Sequence, residues 1–168
     1  VDQIDLVATV ASAFSEFAKL PPKNDESFNL KEELENLERV FNDDGNIYFH
    51  ANKDMMPVRM DRIYLSRIFT NMITNAKQAV SEQRKSIINI DAELFNKKII
   101  IVIEDNGIGI PKDKLEQIFE PNFTTKNSGM GLGLTMVKKM IEEYKGDISV
   151  KSEEGKGTKF TIILPTNV

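Results

Sequence analysis

The sequence predicts a chain of mixed α/β class. Amphipathic helical stretches alternate with strands, and the last two pairs of strands read as hairpins. One strand, Ile99-Ile100-Ile101-Val102-Ile103, is apolar on both faces, as suits the centre of a sheet. With 168 residues, 40% of them hydrophobic and 29% charged, the chain can bury one proper core with a short appendage beside it.

The elements follow in order. Residues 1–20 read as one helix, because Ile4, Val7, Ala11, Phe14 and Ala18 alternate spacings of three and four, as in a coiled-coil seam. Leu6, Val10 and Phe17 widen that stripe, so the helix needs a partner. Pro21-Pro22 ends it, and the polar run from Lys23 to Ser27 reads as a linker at a domain boundary. Asn29 opens a second helix, with Glu32 at capping-box spacing and Leu30, Leu34, Leu37 and Phe41 as its buried stripe. Asp43-Asp44-Gly45-Asn46 is a turn, and residues 47–51 suit a strand. Asp61 caps a long helix to about Val80, with Ile68, Met72, Ala76 and Val80 on one face. Ile87–Leu94 and Lys98–Glu104 form a hairpin around Asn96-Lys97. Lys112–Phe119 reads as a short helix, and residues 120–131 lack periodicity. Leu132–Tyr144 is an amphipathic helix, and Asp147–Ser152 with Thr158–Leu164 makes a final hairpin. Residues 25–44 carry eight acids against two bases, which marks a solvated helix face.

Composition excludes several chemistries. The absence of cysteine removes disulfides, thiolate catalysis and cysteine-held zinc or iron–sulfur sites, and one histidine cannot build a multi-histidine metal centre. A net charge of -4 argues against nucleic-acid binding. No apolar run approaches the ~20 residues that span a bilayer. The chain opens on Val1 and reads as a piece of something longer, without a signal peptide.

Four clusters carry candidate chemistry, and each also has an ordinary reading. In Asn71-Met-Ile-Thr-Asn75-Ala-Lys77-Gln78-Ala79, two asparagines four apart share one helix face. Their amide oxygens suit a hard cation or its waters; otherwise they are exposed or capping residues. Glu104-Asp105-Asn106-Gly107-Ile108-Gly109-Ile110-Pro111 closes the central strand and places Asp105 at the carboxyl edge of the sheet, where ligands commonly bind. A carboxylate only accepts, so it suits an exocyclic amine such as adenine N6, and Gly107 and Gly109 let backbone approach a flat ring. The alternative is a plain Asp-Asn-Gly turn. Ile118-Phe119-Glu120-Pro121-Asn122-Phe123-Thr124-Thr125-Lys126 is a loop with aromatic anchors, whose threonines and lysine can reach a phosphate or simply lie on the surface. Gly129-Met130-Gly131-Leu132-Gly133-Leu134 runs into a helix, so its N–H groups and the helix dipole suit phosphate; a glycine hinge is the alternative. Neither a P-loop nor the dinucleotide glycine pattern is present, and Gly155-Lys156-Gly157-Thr158 lies between two strands.

Taken in this order, the clusters resemble the N, G1, F and G2 boxes of the catalytic, ATP-binding domain of sensor histidine kinases, over about residues 28–165. That domain shares its superfamily with DNA gyrase, mismatch-repair ATPases and anti-sigma serine kinases. The stretch from Gly146 through Ser152 and Gly155-Lys156-Gly157-Thr158 to Leu164-Pro165 is similar as well. Phe14-Ser-Glu-Phe17-Ala-Lys-Leu-Pro21 resembles the end of the second dimerisation helix in the nitrogen-regulation sensor branch.

The resemblance implies a two-layer α/β sandwich: a mixed, mostly antiparallel sheet of about five strands under three helices, with an N-terminal helical extension. Residues 1–22 would end the dimerisation region and 28–168 would form the catalytic domain. It implies Mg²⁺ on Asn75, with Asn71 one turn earlier, and adenine on Asp105 beside Gly107, Gly109, Ile110 and Thr158. It implies lid anchors at Phe119 and Phe123, and phosphates at Lys126, Gly129, Gly131, Leu132, Gly133 and Leu134. Gln78 stands where many relatives carry Lys or Arg, so a phosphate contact weakens or passes to Lys77; Asn122 replaces a second aromatic and loosens the lid. Triphosphate contacts are expected to order that lid. The implied partners are ATP and ADP, the chain's own dimerisation domain in a homodimer and a response-regulator receiver domain, in a cytoplasmic domain of a membrane-anchored parent.

The reaction so implied moves the γ-phosphoryl group of ATP to a histidine. His50 sits in an expected strand before Ala51 rather than an acid, so the acceptor is expected upstream of this chain. A gyrase-like hydrolytic clamp needs a carboxylate one turn before Asn75, where Asn71 stands. An anti-sigma-type serine kinase or a regulatory nucleotide module is the remaining alternative.

Overall fold

The computed structural model describes residues 22–80, 84–121 and 132–166. The expected first helix and most of the expected lid, with Phe123, Lys126, Gly129 and Gly131, lie outside the described residues.

The chain runs β1 (Glu26–Asn29), α1 (Leu30–Phe41), β2 (Ile47–Ala51), β3 (Pro57–Met60), α2 (Arg62–Gln78), β4 (Ile88–Phe95), β5 (Lys98–Asp105), α3 (Gly133–Glu143), β6 (Asp147–Glu153) and β7 (Gly157–Pro165). Five strands form one sheet in the order β2-β4-β5-β7-β6. β2 runs parallel to β4 and the other neighbours are antiparallel, so the sheet is mixed and mostly antiparallel as expected.

Helix starts follow their caps. Asn29 Oδ1 accepts from Lys31 N–H (3.3 Å), while its Nδ2 donates to Glu32 Oε1 (3.0 Å). Asp61 Oδ1 accepts from Ile63 N–H (2.6 Å) and Tyr64 N–H (3.4 Å), and such caps contribute ~0.5–2 kcal/mol. The β4–β5 turn falls on Asn96 and Lys97, both with positive φ (47° and 60°), the backbone of a two-residue hairpin loop whose twist matches its strands.

The core lies between helices and sheet. Leu65, Ile68, Phe69, Met72 and Ile73 of α2 and Val137, Met140 and Ile141 of α3 are buried. They form one cluster with Ile88, Ile90, Ile99, Ile101, Ile103, Phe160 and Ile162 of the sheet. Each such side chain contributes ~1.5–3 kcal/mol on leaving water. β5 is the middle strand, but its second apolar row, Ile100 and Val102, is only half-buried. Neighbouring strands flank that row with Asp91, Glu93, Thr161 and Ile163, so polar neighbours share its outer face.

Three expectations change. Part of the supposed linker is strand: β1 pairs antiparallel with β3, a strand that the sequence reading missed. Asn24 N–H donates to Asp61 Oδ2 (2.7 Å), and Tyr144 Oη donates to Asp25 Oδ1 (2.6 Å), so residues 24–29 are held by the helical layer and by β3. The expected helix over Lys112–Phe119 is one 3₁₀ turn, Lys112–Lys114, followed by turns. Leu115, Gln117 and Glu120 each donate to the carbonyl three residues back in this tightened path. The acidic run is partly paired: Arg62 bridges Glu26 (2.9 Å) and Glu33, and Lys31 meets Glu35 (3.6 Å).

Candidate functional site

β5 ends in Asp105, a carboxylate only 7% exposed. Its Oδ1 accepts from Gly107 N–H (2.8 Å), an Asx turn, and from Thr158 N–H (3.3 Å) on the facing strand. The plain-turn reading and the ligand reading of this cluster therefore describe one geometry: the turn aims and fixes the carboxylate.

The loop after Asp105 is clasped on two sides. Ile108 N–H donates to the carbonyl of Ala79, the residue that ends α2 (2.8 Å), and Ile108 carbonyl accepts from Gly155 N–H in the β6–β7 turn (2.7 Å). A methyl on Gly107 would lie 2.6 Å from Ala79 Cβ, and one on Gly109, where φ is +73°, 2.2 Å from Glu153 carbonyl. Protein neighbours thus impose these glycines, in addition to any approach by a ring. Gly157, with φ of +122° and its missing methyl 1.9 Å from Asp105 carbonyl, is forced in the same way.

Ser152 completes this corner, and the sequence reading gave it no role at the site. Its Oγ accepts from Ile110 N–H (2.8 Å), donates to Gly157 carbonyl (2.8 Å) and meets Thr158 Oγ1 at 2.9 Å. Thr158 is 5% exposed. Asp105, Gly107, Gly109, Ile110 and Thr158 are therefore brought together.

α2 supplies the second wall, and its C-terminal end touches the first through Ala79. Asn71 and Asn75 are both half-buried on one face. Asn71 Nδ2 donates back to Arg67 carbonyl (2.8 Å), and its Oδ1 lies 2.8 Å from where a methyl on Gly133 would sit. The N-terminus of α3 is thereby seated against Asn71. Leu132 stands at the N-cap position and offers no side-chain acceptor. The first amides of α3 and its dipole make an environment suited to anions. Leu132 is buried and Leu134 half-buried, so both anchor the helix start. Gln78 is exposed.

Lys77, to which a phosphate contact was expected to pass, is turned away from Asn75. It lies two residues beyond Asn75, about 200° round the helix, and its Nζ donates to Phe41 carbonyl at the end of α1 (2.6 Å). Phe119 is half-buried and packs edge-on to Phe160, with centroids 6.4 Å apart. Thr135 Oγ1 donates to Phe119 carbonyl (3.0 Å), and Lys138 Nζ lies 5.5 Å from the Phe119 ring centroid. The start of the expected lid is thus tied to α3 through Thr135 and Lys138, neither of which stood out in the sequence.

The far end of α3 is fixed too. Tyr144 Oη accepts from Asp61 N–H (2.9 Å), and burial together with its bond to Asp25 raises the phenol pKa above its ordinary value. Burial pushes Asp61 upward, but the N–H groups of Asn24, Ile63 and Tyr64 outweigh it and hold the carboxyl below its usual range. His50 is exposed on β2, an edge strand.

Among the described residues, no group of three His, Asp or Glu side chains could hold a metal. Asn71 and Asn75 supply amides alone, a donor set that fits a cation arriving with its phosphates and waters rather than one held in a carboxylate cage.

Residues 60–168 match the family described as histidine kinase-, DNA gyrase B-, and HSP90-like ATPase. Sensor histidine kinase ZraS of Salmonella typhimurium is 43% identical over 118 residues, which is 70% of this chain and 25% of that protein. The chain therefore spans about a quarter of the length of this curated relative. A nucleotide-free structure of the catalytic domain of histidine kinase ThkA superposes with a TM-score of 0.74 at 30% identity, covering 85% of this chain and 96% of that one. Histidine kinase ThkA in complex with response regulator protein TrrA shares the fold, with a TM-score of 0.78 at 23% identity over 98% of this chain and 48% of that one. No described helix is long and apolar enough to cross a membrane. The chain belongs to the histidine kinase-, DNA gyrase B- and HSP90-like ATPase family and, within it, to the catalytic ATP-binding domains of the sensor histidine kinases of two-component signalling.

Proposed function

We propose that this domain binds Mg-ATP and donates its γ-phosphoryl group to a histidine on a dimerisation domain encoded upstream, for relay to an aspartate of a response regulator. The observation that carries the reading is the buried Asp105 carboxylate, fixed by the Gly107 and Thr158 amides at the carboxyl end of the central strand. A fixed acceptor there suits the amino group of adenine.

The remaining roles follow from position. Thr158, Gly107, Gly109 and Ile110 frame the base, and Phe119, with Phe123 beyond the described residues, roots the lid. Lys126, Gly129, Gly131 and Gly133 receive the phosphates, flanked by Leu132 and Leu134. Asn71, Asn75 and Gln78 line the α2 wall, with Asn75 taking Mg²⁺. When bound, the ion supplies neutralisation of the charge that grows on the transferred phosphoryl group. Phosphoryl transfer depends mainly on positioning and charge, which is what such a cradle provides. Hydrolysis would need a base at Asn71, but an amide is none, and its nitrogen is engaged with Arg67. ADP, the product, shares the base and α/β-phosphate contacts.

Residues 1–22 are read as the end of the dimerisation region and 28–168 as the catalytic domain, in a homodimeric, membrane-anchored parent with this part in the cytoplasm. Placement in the nitrogen-regulation branch rests on residues 14–21 alone. The test mixes the chain with labelled ATP and a separately made dimerisation domain. Acid-labile label is expected on a histidine of that domain and none on this chain. Stoichiometric label on His50, or transfer to a serine, overturns the proposal.

A further inference from the structure

Ser152 holds a hydroxyl whose three hydrogen-bonding positions are all used. A serine hydroxyl carries one proton and two acceptor lone pairs. Ile110 N–H takes one lone pair, at 2.8 Å. The Gly157 carbonyl, also at 2.8 Å, has no proton to give, so the serine proton goes there. The remaining contact, 2.9 Å to Thr158 Oγ1, must then be closed by the threonine's proton.

This chain of donors fixes more than a loop. With its proton spent on Ser152, Thr158 presents only acceptor capacity to any further partner. Thr158 also faces Asp105 across β5 and β7, and Asp105 is an acceptor as well. Together they make a corner that offers lone pairs and no side-chain proton.

We propose that Ser152 is a specificity-determining residue: by orienting the Thr158 hydroxyl it keeps the base corner acceptor-only, and so favours a 6-amino purine over a 6-oxo purine. This rests on the adenine reading of Asp105 above. An amino group, or a water bound to one, has protons for both acceptors, whereas a 6-oxo group meets them lone pair to lone pair. Removing Ser152 Oγ would free the Thr158 proton to turn outward and serve a 6-oxo group.

The experiment is calorimetric titration with ATP and inosine triphosphate of the wild type, Ser152→Ala, Ser152→Thr and Thr158→Val, with thermal unfolding of each. The wild type should prefer ATP by at least tenfold. Ser152→Ala should lower that preference about tenfold, the equivalent of one hydrogen bond of ~1.4 kcal/mol. Ser152→Thr keeps the hydroxyl and should keep the preference. In a Thr158→Val background, Ser152→Ala should leave the ratio where Thr158→Val alone puts it. If Ser152→Ala weakens both nucleotides equally, the residue is merely structural and the proposal is overturned. If Ser152→Ala does not fold, the ratio in Ser152→Thr against Thr158→Val decides: an unchanged ratio in Thr158→Val overturns it. A wild type that binds both nucleotides alike overturns the adenine reading first, and this proposal with it.

Discussion

Replacing Gly133 by alanine should separate binding from stability. The glycine opens α3, and among the described residues its new methyl would meet Asn71 Oδ1 at 2.8 Å and Asn71 Cγ at 3.7 Å. The obstacle is the tip of one side chain, so the amide swings and strains its bond to Arg67 carbonyl, now 2.8 Å. That exposed hydrogen bond is worth about 0.5–1.5 kcal/mol. Alanine in place of glycine returns about 0.5–1 kcal/mol in a helix interior and only part of that at this first helical position. The gain offsets part of the loss, so the melting temperature should stay within about 4 °C of the wild type. Nucleotide binding has no such offset. The methyl enters the approach to the first amides of α3 and displaces Asn71, at the cost of one charge-assisted contact of about 1.5–3 kcal/mol. A non-hydrolysable ATP analogue should therefore bind ten- to a hundredfold more weakly by that estimate, while adenosine, which reaches only the Asp105 corner, binds as before. Calorimetric titration with both ligands is the assay. An unchanged affinity for the analogue in a folded Gly133→Ala protein, or an equal loss for adenosine, would refute the placing of phosphates at this helix start.

Two further outcomes are expected. Asn75→Ala should abolish the magnesium dependence of ATP binding, so that its affinity is the same with Mg²⁺ and with EDTA; a wild type indifferent to Mg²⁺ removes the role. Asp61, whose folded pKa is depressed, contributes stability above the unfolded carboxyl pKa of about 3.9, and that contribution is lost as pH falls through the lower folded value. The difference in melting temperature between wild type and Asp61→Asn should hence be present at pH 7 and shrink below about pH 4; a constant difference across that range would show that the charge is not what Asp61 contributes.

Local signals were the legible ones. Asn29, Asp61 and Asn96-Lys97 act within a few residues of themselves, and each set a boundary that the fold keeps. The candidate site was proposed from four short clusters whose order resembles that of a known family, and of these the Asp105 corner is the part whose residues the fold brings together. What escaped depends on distant partners. β1 and β3 are four residues each, too short for a period, and exist because Phe28 stands opposite Val58, thirty residues on. Ile100 and Val102 looked like one row of a strand covered on both faces, yet composition cannot say whether a second layer exists. Lys77 was offered a phosphate because of its neighbours in sequence, but helix geometry turns it to Phe41. Ser152 and Thr135 carry no composition signal; their importance comes from Ile110 and Phe119, 42 and 16 residues away.

Asp105 is proposed as the group that selects adenine. The most direct measurement is titration of wild type and Asp105→Asn with Mg-ATP and Mg-GTP. The carboxylate can accept from adenine N6 and is mismatched to the guanine carbonyl, and losing a charged hydrogen-bond partner costs about 1.5–3 kcal/mol. The wild type should bind ATP and not GTP, and Asp105→Asn should bind ATP about ten- to a hundredfold more weakly. A wild type that binds GTP as well as ATP, or a folded Asp105→Asn that keeps full ATP affinity, would contradict it.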